Sequence, residues 1–255
     1  MAEESPRGQT LRVSDDHFDE WIATRYRLLW PHLFDAHVLD PAVEFLADRA
    51  GRGAVLEFGI GTGRVALPLS RRGLRVHGIE LSPAMVGQLR SQPDTLDINV
   101  MIGDFATTTA PGTYSLVYLV RNTIMNLTTQ DAQVQCFCNA AAHLEFGGCF
   151  VIEVVVPPWQ WLPPGETYLP FDVSPQHVGV DEIDVTTQSS CSHHYWLLDD
   201  ETRTFSAPFR YAWPSELDLM ARLAGMTLHE RWGDWNRAPF TSESRGHISV
   251  WQKTS

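Results

Sequence analysis

Hydrophobic positions along this chain switch between helical and strand spacing, and the switches mark out alternating elements. Residues 1 to 13 are polar and without period. From Ser14 to about Trp30 the apolar positions Phe18, Ile22, Tyr26 and Leu29 recur at helical spacing. Asp40 followed by Pro41 predicts a helix start, an N-cap before proline at the first helical position. An aliphatic run ending at Glu57 predicts the first strand, and Val76 to Glu80 the second. Ser82 and Pro83 repeat the start signal for a helix reaching about Arg90. Strands are expected over Asp97–Ile102 and Tyr114–Val120, with a helix over Thr129–Leu144. Gly147 and Gly148 turn the chain, and the near-continuous apolar run Cys149–Val156 suits a central parallel strand. This rhythm is that of an α/β, doubly wound sheet.

The second half has a different character. Residues 159–175 are proline-rich and exclude regular helix. Three β-rich runs follow, near 178–188, 191–198 and 202–212, with Asp199 and Asp200 as a hairpin turn. A helix over Ser215–Ala224 stops at Gly225, and two last strands fall near 226–233 and 246–252.

The chemistry concentrates in residues 54–69, AVLEFGIGTGRVALPL. A strand stops at Glu57, glycines follow at Gly59, Gly61 and Gly63, and a helical pattern begins at once. A chain builds a tight turn and helix N-terminus in this way around the polar end of a nucleoside cofactor. Arg64 stands where a dinucleotide fingerprint requires its third small residue, and Glu57 is unfavourable beside a pyrophosphate. A carboxylate there suits a cofactor with a cationic amine. Glu80, 17 residues beyond Gly63, is placed to accept from two ribose hydroxyls at the tip of the second strand.

Composition narrows the classes. The 255 residues are 44% hydrophobic, enough for one substantial core. With 19 basic against 31 acidic residues the net charge is −12, which disfavours a nucleic-acid substrate. Arg71, Arg72 and Arg75 are read as the basic end of a helix. No run is long and apolar enough for a membrane span, and no apolar signal core opens the chain. Four cysteines without paired spacing read as reduced thiols, hence a cytoplasmic location. Cys136 and Cys138 point to different faces of a helix, so no metal site is expected.

The ordered set of Glu57, the glycine trio, Glu80 and Gly103-Asp104 resembles the class I S-adenosylmethionine-dependent methyltransferases, whose first motif reads acid-x-Gly-x-Gly-x-Gly. Roughly residues 50 to 156 carry the resemblance. It implies a seven-stranded mostly parallel sheet with the last strand antiparallel, and an inserted antiparallel layer covering the active site, as in small-molecule enzymes acting on amino sugars and natural products. The implied organisation is an N-terminal helical lid (1–49), a cofactor-binding core (50–158), an inserted cover (159–212) and a C-terminal completion of the sheet (213–255). The resemblance also implies S-adenosylmethionine as cofactor, leaving as S-adenosylhomocysteine. Asp104 would accept from the adenine amino group and the Phe105 N–H would meet a ring nitrogen. Leu81 and Met85 would flank the adenine. The Val120 carbonyl would take the methionine amine, Arg64 the carboxylate, and Tyr26 would close over the sulfonium beside Trp30.

Substrate groups are sought beyond the strands' carboxyl ends. Arg121, Asn122 and Asn126 follow the fourth strand, and Trp159 and Trp161 follow the fifth. In the run from Cys191 to Trp196, His193 and Tyr195 share one face and His194 and Trp196 the other. Either histidine is a candidate general base; both also suit plain packing. The expected activity is methyl transfer to nitrogen or oxygen of a small-molecule acceptor. A nicotinamide-dependent oxidoreductase and a cofactor-binding protein without transferase activity are the alternatives. Oligomeric state is not legible.

Overall fold

The computed structural model describes residues 18–95, 97–157, 159, 162–198 and 201–254. Seven strands form one sheet: β1 (Val55–Phe58), β2 (Val76–Glu80), β3 (Asn99–Ile102), β4 (Tyr114–Leu119), β5 (Leu144–Val155), β10 (Met226–Trp232) and β11 (Gly246–Lys253). Their order is β10-β11-β5-β4-β1-β2-β3, with β11 antiparallel to both neighbours. Alternate residues of β1 and β4 feed opposite faces, so the core is two-sided. Leu56, Phe58, Val117 and Leu119 pack with α5 (Gln130–His143) and α6 (Pro214–Leu223). Val55, Leu116 and Tyr118 pack with α2 (Ala36–Ala50), α3 (Ala66–Arg71) and α4 (Pro83–Arg90). Among the described residues no helix is long and apolar enough to cross a membrane.

A second sheet, β6-β7-β8-β9, is antiparallel throughout: β6 (Tyr168–Val173), β7 (His177–Asp184), β8 (Ser189–Leu198) and β9 (Glu201–Arg210). Its inner face takes α1 (Glu20–Leu29), where Ile22, Leu29 and Trp196 form a small apolar cluster with Trp30 and Phe205. Asp19 caps α1 by accepting from Ile22 N–H and pairs with Arg203 on β9. The Ser82 hydroxyl, while capping α4, also donates to the Phe18 carbonyl. The segment around α1 thus bridges β9 of the second sheet and the start of α4 in the core. At the sheet's base Arg210 binds Gln133 of α5 and Glu216 of α6, anchoring the cover to the core.

The structure revises several expectations. The second helix begins at Ala36 and runs through Asp40 and Pro41. Its buried stripe Ala42, Val43, Phe45 and Leu46 fixes the helix on the sheet, outweighing the N–H that Pro41 lacks. The cover has four strands, because Pro-containing residues 168–173 pair along the edge, where proline's missing donor faces no neighbour. Gly147 and Gly148 lie in a bulge within β5, between Leu144 and Cys149 in the pairing with β4, and do not end it. The first helix is described from Glu20; Ser14, the Asp199–Asp200 turn and Trp161 lie outside the described residues.

Candidate active site

The glycine turn is dictated by backbone geometry. Gly59, Gly61 and Gly63 have φ of 70°, 55° and 79°, where side chains are strained. A Cβ on Gly63 would sit 2.3 Å from Leu89 Cδ1, and one on Gly59 2.7 Å from Thr123 Cγ2. The turn delivers the Gly61 N–H to Glu80 Oε2 at 2.8 Å, while Glu80 Oε1 accepts from Ser82 N–H at 2.9 Å. Burial pushes the Glu80 carboxyl up and these N–H groups hold it down. Each oxygen is pinned by one donor and retains acceptor capacity, the arrangement a vicinal diol requires.

Two large apolar side chains stand exposed beside Glu80. Leu81 follows β2 and is 51% exposed; Ile102 ends β3, paired in register with Glu80, and is 53% exposed. Met85 is buried, its Cε 3.4 Å from where a Gly61 Cβ would lie, so it supports the turn. The Gly103 N–H donates to the Glu80 carbonyl, and no Cβ fits there because Thr108 Oγ1 is 2.2 Å away. Asp104 is exposed, with Oδ1 accepting from Ala106 N–H at 2.8 Å. Phe105 turns inward and stacks on Phe58, leaving only its backbone toward the site. If Asp104 grips an adenine amino group, Asp104→Ala weakens S-adenosylhomocysteine binding about tenfold by calorimetry, through loss of a hydrogen bond worth ~1–2 kcal/mol. Asp104→Asn keeps an acceptor and most of the affinity.

Glu57 departs from expectation. It does not open onto the cleft: it is 3% exposed, and one oxygen accepts from the Tyr118 hydroxyl at 2.7 Å. Burial raises its carboxyl to about 8, against the Tyr118 hydrogen bond and the nearby Arg64 charge. Arg64 spends one N–H on the Leu33 carbonyl at 3.3 Å, bridging the turn and the N-terminal segment. Tyr26 lies within the fields of Arg64, Arg121, Glu80 and Glu57, and burial raises its hydroxyl. Its ring meets Trp30 at 5.0 Å. Tyr26 therefore lies on the side of the glycine turn and the tip of β2.

The tip of β4 is a strained corner. Arg121 and Asn122 have consecutive positive φ, 59° and 61°. Arg121 N–H donates to Glu153 Oε2 at 2.7 Å, and Trp235 Nε1–H holds the other oxygen at 2.9 Å. Asn122 Oδ1 accepts from Val155 N–H at 2.8 Å, so its side-chain oxygen ties this corner to β5. The Val120 carbonyl accepts from both N–H and Oγ1–H of Thr123, which takes up the lone pairs expected for the amine. Asn126 donates to the Thr123 carbonyl within its own turn. Arg121 remains exposed with its charge felt by Tyr26 and by His32, whose imidazole is lowered by burial and this charge. Asn122→Ala costs about 2 kcal/mol in denaturant unfolding, from one hydrogen bond and a left-handed alanine. Asn122→Gly costs about half as much, because glycine keeps the backbone.

On the cover, His193 and Tyr195 face away from α1. His193 binds Ser206 and Glu182, and Tyr195 is 49% exposed, so neither reaches the cleft. His194 faces inward: it stacks on Phe205 and meets Trp30 edge-on. Trp159 packs edge-on against Tyr211. Among the described residues no group of three or more His, Cys, Asp or Glu is placed to hold a metal.

Sequence reasoning missed Ile102, Tyr118 and Glu153, and the strand β6 that pairs with the cover. Ile102 carried a signal, the last apolar residue before Gly103-Asp104. Tyr118 and Glu153 depend on pairings distant in the sequence, which no local pattern reports.

A glycine turn after β1, an acid at the tip of β2 and apolar side chains beside it fit an adenosyl amino acid. The order β10-β11-β5-β4-β1-β2-β3 completes a class I methyltransferase fold. A family model described as a methyltransferase domain matches residues 55–148. The structure of the CcbJ methyltransferase from Streptomyces caelestis is similar at 37% identity and a TM-score of 0.77, covering 84% of this chain and 89% of that one. The cypemycin N-terminal methyltransferase of Streptomyces sp is 25% identical over 210 residues, 78% of this chain and 82% of that relative. CalS10, an amino pentose methyltransferase from Micromonospora echinaspora solved with S-adenosylmethionine bound, shares the fold at a TM-score of 0.65 and 22% identity, covering 90% and 96% of the two chains. The chain belongs to the S-adenosylmethionine-dependent methyltransferases, and S-adenosylmethionine is its cofactor.

Proposed function

We propose that this enzyme methylates a nitrogen or oxygen of a small molecule in specialised metabolism, with an amine the favoured acceptor. The observation that carries the reading is the pinned Glu80 carboxylate flanked by exposed Leu81 and Ile102. The amine preference rests on relatives named as an N-terminal methyltransferase and an amino pentose methyltransferase. The bound cofactor supplies an electrophilic sulfonium methyl. The protein's part is to bind and aim: Glu80 holds the ribose, Leu81 and Ile102 hold the adenine, and Asp104 and the Phe105 N–H read its edge. Arg64 lies near enough to the turn to take the methionine carboxylate, and Tyr26 closes the lid and excludes water. Positioning of this kind is worth ~7–11 kcal/mol of barrier. The β-rich insert is the acceptor side, with residues 1–49 as lid. The net charge of −12 argues against nucleic acid as acceptor, and four unpaired cysteines suit a reducing, cytoplasmic setting.

Calorimetric titration with S-adenosylhomocysteine and with NAD tests the pocket; tight binding of NAD alone overturns the reading. Labelled-methyl transfer onto a panel of small amines and phenols tests the acceptor class, and transfer to phenols alone would replace nitrogen by oxygen.

A further inference from the structure

The inner face of the cover holds a polar chain that the methyl-transfer chemistry has not used. His177 Nδ1 lies 2.6 Å from Asp172 Oδ2, and His177 Nε2 lies 3.0 Å from His194 Nδ1. The two imidazoles are 4% and 8% exposed and their planes are parallel within 17°; with centroids 5.1 Å apart and nitrogens 3.0 Å apart, the rings meet nitrogen to nitrogen at their edges. The rings are fixed on both sides. Trp196 stacks on His177 at 3.7 Å and Phe205 on His194 at 4.5 Å. The Phe171 ring closes over Gly179, where a Cβ would lie 2.2 Å from Cε2, and meets His194 at 5.3 Å. A layer that needed only shape would fill these positions with apolar rings, because a buried imidazole pair must keep its hydrogen bonds satisfied.

The chain also has a direction. Its inner end, His194, meets Trp30, which packs against Tyr26 over the cofactor pocket. Its outer end, Asp172, is 43% exposed. The charges of Asp172 and Arg121 are both felt by His32. The other charged groups on this side are Arg64, whose charge is felt by Tyr26, Asp181 bonded to Ser192 further along β7 and β8, and Arg203 opposite Trp196.

We propose that Asp172, His177 and His194 form a proton relay that removes the proton an acceptor amine or hydroxyl loses on methylation. The inference rests on the methyltransferase reading above. The balance is simple. The methyl carbon–sulfur bond breaks, a methyl–nitrogen or methyl–oxygen bond forms, and the sulfonium charge is lost as one acceptor proton departs. His194 takes that proton on its far nitrogen as its Nδ1 proton passes to His177 Nε2. His177 passes its own Nδ1 proton to Asp172, whose exposed carboxylate returns it to solvent. His194 is the base, and His177 and Asp172 act through it.

The test uses His194→Gln, His177→Gln and Asp172→Asn, the last at an exposed position where the fold is safe. All three are expected to lower kcat about 10²–10⁴-fold near neutral pH, the scale of general-base catalysis. The loss should shrink at high pH as the acceptor sheds its proton unaided, with S-adenosylhomocysteine affinity within about twofold of wild type. Independently of turnover, ¹⁵N-imidazole spectra of the wild-type protein should show His177 and His194 titrating together, with both curves displaced in Asp172→Asn. Unchanged pH–rate profiles, or independent titration of the two rings, would overturn the relay. So would a parallel loss of S-adenosylhomocysteine affinity in all three variants, which would make the chain a lid support. A wild-type protein that transfers no methyl group yet titrates as a coupled pair would sink the functional reading and leave the relay geometry standing.

Discussion

Replacing Glu80 by alanine lowers the affinity for S-adenosylhomocysteine by about 100- to 10⁴-fold. The estimate comes from two ribose hydroxyls donating to one buried carboxylate, each bond worth ~1.5–3 kcal/mol, with a factor of ten for every 1.4 kcal/mol. Gly61 N–H and Ser82 N–H fix the orientation of both oxygens before the ligand arrives, so little ordering entropy opposes the bonds. The same substitution orphans those donors and loosens the turn against β2. Glu80→Gln retains one acceptor oxygen and loses the charge, and an intermediate deficit is expected. Calorimetry on folded protein decides the matter: an alanine variant that binds within threefold of wild type removes Glu80 from the cofactor site.

How much of this was legible in the sequence follows from the range over which each feature is encoded. The glycine turn, the Ser82 cap and the acid at the end of β2 are local. A positive φ, an N-cap and a strand terminus each announce themselves within a few residues. The class of fold was readable for the same reason, since helices and strands alternate with clear changes of period. Pro41 misled because a proline in a helix is judged by what the helix buries, and that stripe becomes decisive only against a sheet. Strand β6 was hidden by prolines that an edge position tolerates. Alternation along β8 correctly separated His193 from His194, yet it could not say which one faced the cleft. That depends on α1 lying against one side, a contact between residues more than a hundred positions apart. Glu57 was found as an acid but not as a buried one, because its partner Tyr118 comes from a strand 61 residues away.

This burial has a consequence for pH. The Glu57 carboxyl is raised from 4.5 to about 8 chiefly by desolvation, so its ionisation opposes folding. Stability from this group is fully present below pH 4.5 and is lost as pH rises through about 8. Glu57→Gln cannot ionise, and its amide oxygen still accepts from Tyr118. The variant is therefore expected to gain stability over wild type as pH increases from 5 to 8, by on the order of a few kcal/mol, with the difference constant above that. A cation near the glycine turn works in the opposite sense, because it favours the carboxylate. Cofactor binding should then release a proton, and wild-type affinity should rise with pH up to about 8 while the glutamine variant shows no such slope. Thermal unfolding across this range, with and without S-adenosylhomocysteine, measures both effects at once. A wild-type curve parallel to that of Glu57→Gln at every pH means the carboxyl is ionised throughout, held charged by the Tyr118 hydrogen bond and the nearby Arg64 charge.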